Sequence, residues 1–243
     1  AFAFVVEHMQ RGGRLAHSWR AGRTLDLAFL EDYAQMAAAA LTLFEHTGKR
    51  AYRDRAEAWL RILDEDYLDP EHGGYFQTPA SASDLVVRPK NAQDGPLPSG
   101  NGLLVSVFAR LFYLTGDPAY RQRAERQIAA FSGEAAHNPL GHAAMLSGAM
   151  LLEHPVQVVL IGEPASLDLA GLRRTALAAP VPEAVVLQVA ADTALPADHP
   201  AFGKGQIGGR ATAYVCPGQT CLAPVVEPAD LAASLASASL RTT

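Results

Sequence analysis

The chain has 243 residues, a formal net charge of −5 at pH 7 and an apolar fraction of 49%. This length and composition suit one large domain or two smaller ones with a sizeable core. The slight acidic excess argues against nucleic-acid binding, and no apolar run reaches the roughly 20 residues of a membrane-spanning helix. The opening AFAFVVEHMQR has no signal-peptide pattern and predicts the end of a helix, so we expect a fragment of a larger protein.

A helical hairpin is predicted next along the chain. Apolar residues between Leu30 and Phe44 follow alternating steps of four and three, which indicates an amphipathic helix. Gly48 supplies the stop of this helix. The apolar spacing from Tyr52 to Leu63 predicts a second helix directly after it.

The hairpin is repeated 68 residues later, because residues 43–57 and 111–125 are identical at ten of fifteen positions. In this second copy, a helix around residues 104–111 is stopped by Gly116. The next helix begins at the N-cap Asp117 and ends at Gly133. A further helix at about residues 140–152 opens a third copy.

Repeated αα-hairpins must stack, because one hairpin cannot bury its apolar stripe alone. A superhelix and a closed toroid both satisfy that need. The 68-residue period exceeds the roughly 33 to 47 residues of common helical solenoids. The extra residues lie in the connections between hairpins.

The pattern changes near His154, after which a small α/β segment is predicted. Its elements are a strand at 155–162, a helix at 167–178, a strand at 184–189, a third strand at 211–216 and a closing helix at 229–240. Strand, helix and strand in this order favour a parallel pairing and a mainly parallel sheet. We therefore expect an all-helical domain at residues 1–154 and a small α/β domain at residues 155–243.

Long connections between the hairpins are the predicted place for a binding site. Residues 64–102 join two helices with almost forty residues, and loops beyond ~12–15 residues are commonly functional. This connection carries GGYF, a strand-like LVV, RPK and DGPLPSGN. The offset of 68 matches it to residues 13–26 of the previous copy, so both loops are expected at the same end of the stack.

Nine residues of these two loops are the candidate site. They are His17 and Asp94 for catalysis and, for substrate binding, Trp19, Arg20, Tyr75, Arg88, Lys90, Ser99 and Asn101. We expect Arg20, Arg88 and Asp94 to share one pocket, with His17 at its wall as a general base. Trp19 or Tyr75 would stack on a sugar ring, and the arginines would hold hydroxyls or an oxyanion.

Each candidate also has a structural interpretation. His17 and Trp19 would serve as interior packing residues, and Ser99 and Asn101 would cap the following helix. The two arginines would form ion pairs, Arg20 with Asp26 and Arg88 with Asp94. Asp26 would equally serve as an N-cap, whereas Asp32 is expected to face solvent.

No metal or cofactor is expected. Cys216 and Cys221 are the only cysteines, no histidine lies near them in sequence, and a zinc site would need two further ligands. Two cysteines in a chain of this size form no disulfide framework, so a reducing cytoplasm is the expected compartment.

Several segments resemble the thioredoxin-domain-containing family of spermatogenesis-associated protein 20. They are RLAHSWRAG, FLEDYA, GGYF, RPK with DG and PSGN, LTGD, and AYVC followed by C and P. The order of these segments is specific, and Pro96-Leu97 is one local departure. The resemblance implies a parent with an amino-terminal thioredoxin-like domain and a six-hairpin (α/α) toroid similar to N-acylglucosamine 2-epimerases.

The implied fold is mainly α, a partial (α/α) six-hairpin toroid followed by the small α/β segment. The first hairpins would then be missing, leaving an apolar flank for the amino-terminal half of the toroid or a second copy of the chain to cover. The chain also lacks the CxxC motif of thioredoxin-like dithiol exchange.

Two functions are consistent with this sequence. The first is a carbohydrate-active protein, with a sugar isomerase or epimerase-like reaction if it is an enzyme, acting on a small-molecule carbohydrate. The alternative is a non-catalytic recognition module of a thioredoxin-like protein. Catalysis requires the loop side chains to converge on one cavity, whereas a recognition surface leaves them dispersed or paired.

Overall fold

A computed structural model describes residues 1–25, 27–82 and 85–239 of the chain. The helices are α1 (Phe2–His8), α2 (Leu30–Thr47), α3 (Arg50–Asp66), α4 (Gly100–Thr115), α5 (Pro118–His137), α6 (Ala143–Glu153), α7 (Leu167–Ala178) and α8 (Pro228–Ser239). This confirms the mainly helical class. Within the described part of the chain, every helix is too short or too polar to cross a membrane.

Two of the three helix ends that were predicted at glycines are confirmed. Gly48 and Gly116 have φ of 67° and 79°, the left-handed conformation that ends α2 and α4. Asp117 caps α5 by accepting a hydrogen bond from the Ala119 amide at 2.9 Å. The predicted end at Gly133 is wrong, because α5 continues to its last residue, His137.

The cause lies in the surroundings of Gly133. A Cβ placed there would meet nothing within 4 Å, so the glycine lies on an open surface of the helix. It costs only about 1 kcal/mol relative to alanine. Burial of Phe131 and Ala135 on either side maintains the helix across this position.

Short strands lie before α2, where an all-helical segment was expected. They are β1 (Gln10–Arg11), β2 (Arg14–Leu15), β3 (Ser18–Arg20) and β4 (Arg23–Leu25). β1 pairs with β2, and β3 pairs with β4, both antiparallel. The strand-like LVV segment forms no strand in the described residues 85–87.

The described chain divides into two compact units. The first comprises residues 1–44, 49–108 and 122–149, and the second comprises residues 45–48, 109–121 and 150–243. The boundaries between these units cut across α2, α4, α5 and α6. The domain division at residue 154 stays a prediction.

Close contacts through glycine hold the helices of the first unit together. A Cβ on Gly100 of α4 would come within 2.6 Å of the Leu30 side chain of α2. A Cβ on Gly148 of α6 would lie 2.7 Å from the Ser106 amide of α4. Such distances leave no room for a side chain, so glycine permits these helices to pack closely.

The second unit contains a three-stranded sheet in the order β6–β5–β7. Its strands are β5 (Val156–Ile161), β6 (Ala184–Val189) and β7 (Thr212–Pro217). β5 and β6 are parallel, which confirms the βαβ prediction. β7 pairs antiparallel with β5, so the sheet is mixed rather than mainly parallel. Buried leucines of α7 and α8 share one apolar core with β5 and β7.

A buried carboxylate explains why the last turn of α2 belongs to the second unit. Glu45 accepts hydrogen bonds from the Arg110 guanidinium at 2.9 Å and from the Val186 amide at 3.0 Å. Burial raises the pKa of Glu45, and the nearby guanidinium opposes that shift. The glutamate therefore connects the end of α2 to strand β6.

The two cysteines of the chain are joined to each other. Cys216 of β7 and Cys221 form a disulfide across the turn that follows the strand.

Candidate functional site

The Gly73-Gly74 turn sets the geometry of the long connection after α3. Both glycines have positive φ, 71° and 74°. A Cβ on Gly74 would lie 2.7 Å from the Phe131 ring of α5, so the turn packs against that helix. The next residue, Tyr75, forms an isolated antiparallel bridge with Leu68 and is buried. The turn therefore directs the tyrosine inward.

The Tyr75 hydroxyl joins a carboxylate and a guanidinium. It donates to Asp64 Oδ1 at 2.8 Å and accepts from Arg123 Nη2 at 3.2 Å. Arg123 Nη2 also donates to the same Asp64 oxygen at 2.6 Å. The Arg123 guanidinium lies 4.3 Å from the centre of the Phe108 ring. Burial raises the pKa of Tyr75, so its hydroxyl remains a proton donor at neutral pH.

This triad forms part of the wall of a cavity of about 660 Å³ in the first unit. The cavity is bounded by the connection after α3 on one side and by α5 on the other. Its lining residues are Asp64, Leu68, Asp69, Pro70, Glu71, His72, Gly73, Gly74, Tyr75, Arg123, Arg126, Gln127, Ala129 and Ala130. Charged and amide groups therefore share the wall with small apolar residues.

An ion pair between a half-buried lysine and a buried aspartate fixes the loop side of the cavity. Lys90 Nζ donates to Asp69 Oδ2 at 2.5 Å and to the Gly73 carbonyl at 2.8 Å. Asp69 Oδ1 accepts from the amides of Glu71 and His72 at 3.0 and 3.1 Å. The hydrogen bond from Lys90 lowers the pKa of Asp69 to about 2. Lys90 is not itself a lining residue, so its contribution to the cavity is to hold Asp69 and Gly73, which are.

Arg126 differs from the other charged groups of the wall. It lies on α5 one helical turn after Arg123 and is exposed. Among the described residues, no hydrogen bond or ion pair holds its guanidinium. Among the described residues, Arg126 is therefore a charged member of the cavity lining that has no partner.

The predicted pair Arg88 and Asp94 makes separate contacts. Arg88 donates to the Thr78 carbonyl from Nη2 at 2.6 Å and to the Asp66 carbonyl at 3.0 Å, and its guanidinium lies 4.3 Å from the Phe76 ring centre. Asp94 accepts from the backbone amides of Ser99 and Ala144 at 2.9 and 2.8 Å. Both side chains hold backbone in place.

Ser99 and Asn101 also bond to backbone. Ser99 caps α4, because its hydroxyl accepts from the Gly102 amide at 3.1 Å and donates to a carbonyl. Asn101 is fully buried, and its amide exchanges hydrogen bonds with the backbone amide and carbonyl of Tyr75, each at 2.9 Å. Asn101 thus positions the tyrosine of the triad.

His17 is paired with a residue that was expected to face solvent. Its Nδ1 lies 3.0 Å from Asp32 Oδ2, and its ring packs edge-on against Phe29 with centres 4.8 Å apart. The Phe29 amide donates to the same Asp32 oxygen at 2.7 Å. The histidine side chain is 42% exposed. The sequence offered one indication of this pair: Asp32 lies in the first turn of α2, close to the end of the loop that carries His17.

Trp19 and Arg20 lie on β3. Both are exposed, and the Trp19 ring contacts the Phe4 ring of α1 edge-on at 5.3 Å. Asp26, the predicted partner of Arg20, lies outside the described residues.

Of the nine predicted site residues, only Tyr75 lines the cavity. Sequence reasoning missed Asp64, Arg123 and Arg126. One signal was available for Arg123, since the 68-residue offset matches it to Arg55 within the repeated AYRxRAE. Arg55 instead donates to the Gln10 side chain at 2.8 Å.

The fold and this site define a mainly helical protein whose first unit contains a cavity lined by both charged and apolar residues. The chain is 28% identical over 208 residues to spermatogenesis-associated protein 20 of Rattus norvegicus and 27% identical to that of Homo sapiens. It is also 27% identical over 203 residues to the uncharacterized protein B0495.5 of Caenorhabditis elegans. These similarities support the family that the sequence segments indicate. No protein-family model matches the chain.

The alignments cover 84% of this chain but only 26% of the length of the rat and human relatives. The chain therefore spans about a quarter of these curated proteins.

Proposed function

We propose that the first unit binds a carbohydrate in the cavity beside α5, as part of an (α/α) toroid. The observation that carries this proposal is the cavity of about 660 Å³, with the Asp64–Tyr75–Arg123 triad already assembled in its wall. This volume lies within the roughly 300–1,000 Å³ of small-molecule sites. Polar groups that are already held in place, as in this triad, reduce the ordering cost of binding.

The chemistry of the wall suits a ligand with many hydroxyl groups. The Asp64 carboxylate accepts hydrogen bonds, guanidiniums donate them, and Tyr75 can do both. A sugar hydroxyl likewise donates and accepts, so neighbouring hydroxyls can match a carboxylate beside a guanidinium. The Arg126 cation, which has no partner among the described residues, would gain most from a ligand, because a hydrogen bond from a charged donor contributes ~1.5–3 kcal/mol.

Isomerisation or epimerisation would need a base within hydrogen-bonding reach of the sugar carbonyl. The predicted base, His17, is paired with Asp32 at 3.0 Å. His17 is not among the residues of the cavity wall. The binding proposal therefore does not depend on the catalytic one.

A non-catalytic recognition module is the second candidate function. It is favoured by one observation: Arg88, Asp94 and Asn101 direct their polar atoms at backbone groups. A loop held in this way presents a fixed surface.

Titration of the full chain with a panel of neutral and acidic mono- and disaccharides tests the binding proposal. We expect at least one to saturate, and Arg126→Gln to weaken it roughly 10- to 150-fold, as loss of a charge-assisted hydrogen bond implies. Arg121→Gln is the matched control, since Arg121 lies on the same helix, outside the cavity wall. Failure of every sugar to bind, or equal effects of both variants, would contradict the proposal.

A further inference from the structure

The disulfide of the second unit has two differently placed sulfurs. Cys216 lies within β7 and is 4% exposed. Cys221 is exposed, and so are the three residues before it in the turn. A thiol arriving from solvent can therefore approach the Cys221 sulfur, whereas the strand covers the Cys216 sulfur.

The chain around the disulfide is also held by backbone hydrogen bonds. After Cys221, the chain returns along β7, where the Leu222 amide donates to the Val215 carbonyl at 2.8 Å. Ala213 and Val225 exchange two further bonds at 2.8 and 3.0 Å. These bonds do not involve either sulfur, so breaking the disulfide leaves the pairing of the segment with β7 in place.

We propose that Cys216–Cys221 is a reversible thiol–disulfide exchange site whose reaction partner is a dithiol. A thiolate of the dithiol attacks Cys221 Sγ and forms a mixed disulfide with it. The bond to Cys216 breaks, and the Cys216 sulfur leaves with the electron pair and takes up a proton. The second thiol of the partner, as thiolate, then displaces Cys221, which is also protonated.

The dithiol partner supplies all the electrons and protons that this reaction needs. The dithiol becomes a disulfide, and two electrons and two protons pass to the protein. The reverse reaction, with a disulfide as oxidant, closes the bond again. In the reduced form the two thiols differ in exposure, because Cys216 is buried in β7 while Cys221 remains accessible.

Native thiol labelling tests this site. The full chain is treated with dithiothreitol without denaturant, quenched, and labelled with a maleimide. We expect Cys221 to be labelled without denaturant and Cys216 only after denaturant is added, because the strand covers Cys216. Far-UV circular dichroism and the amide protection of β5 should stay unchanged on reduction. Reduction that occurs only in denaturant, or that unfolds the sheet, would overturn the proposal and leave the disulfide as a structural bond.

The direction of attack is tested with glutathione disulfide. We expect Cys216→Ala, which retains the exposed thiol, to form a mixed disulfide at least tenfold faster than Cys221→Ala, which retains the buried one. Equal rates would overturn the assignment. If a variant does not fold, mass spectrometry of the unmodified chain treated with glutathione decides the question, because the trapped adduct must lie on Cys221 and not on Cys216.

Discussion

Replacing Asn101 with alanine tests how the cavity wall is held in position. The Asn101 side chain is fully buried, and its amide bonds to the Tyr75 amide and carbonyl, the Asn91 carbonyl and the Gln127 side chain. Asn101→Ala leaves these four groups without this partner. An unsatisfied buried polar group costs ~1–3 kcal/mol. Water entering the space offsets part of that cost, so we expect an overall loss of about 3–5 kcal/mol in the free energy of unfolding.

Urea denaturation followed by tryptophan fluorescence measures this loss. Both tryptophans, Trp19 and Trp59, lie in the first unit, so their emission reports the unit that contains Asn101. Asn91→Ala is the matched control, because Asn91 is exposed and contributes its backbone carbonyl to the network. The control should stay within ~0.5 kcal/mol of the unmodified chain. A loss below about 1 kcal/mol for Asn101→Ala would refute the reasoning.

Two further predictions concern the loop side of the cavity. The pKa of Asp69 is lowered to about 2 in the folded chain, whereas an aspartate in the unfolded chain has a pKa of about 4. The ionised Asp69 therefore stabilises the fold above pH 4, and this stabilisation is lost as the pH falls from 4 towards 2. Lys90→Met should weaken that acid dependence of the first unit in a fluorescence titration, and an unchanged curve would contradict it. Gly74→Ala should destabilise the first unit by ~1–3 kcal/mol in urea, because of its positive φ and the Phe131 ring, whereas Gly95→Ala, in open space, is the control.

Local sequence signals predicted the helices and much of the second unit. These signals are local: the apolar spacing that indicates α2 and α3 involves residues only three or four positions apart. Gly48 and Gly116 end their helices through their own backbone conformation. The predicted helix at residues 167–178 has the limits of α7. Strands β1 to β4 have two or three residues each, too few for an alternating pattern to emerge.

The polar contacts of the triad and of Asn101 with Tyr75 could not be predicted from sequence, because the partners lie far apart along the chain. Asp64 and Arg123 meet although 59 positions separate them, and Asn101 meets Tyr75 across 26. The offset of 68 matched Arg20 with Arg88 by position in the repeat, but a repeat does not fix where a long side chain points. Arg88 instead donates to the Thr78 and Asp66 carbonyls.

The most direct test of the central claim is a crystal structure of the chain with the tightest-binding saccharide from the panel. We predict ligand density in the cavity, with sugar oxygens within hydrogen-bonding distance of the Arg126 guanidinium and of Asp64 or Tyr75. Density only elsewhere, such as against the exposed Trp19 ring, with the cavity empty, would contradict the account.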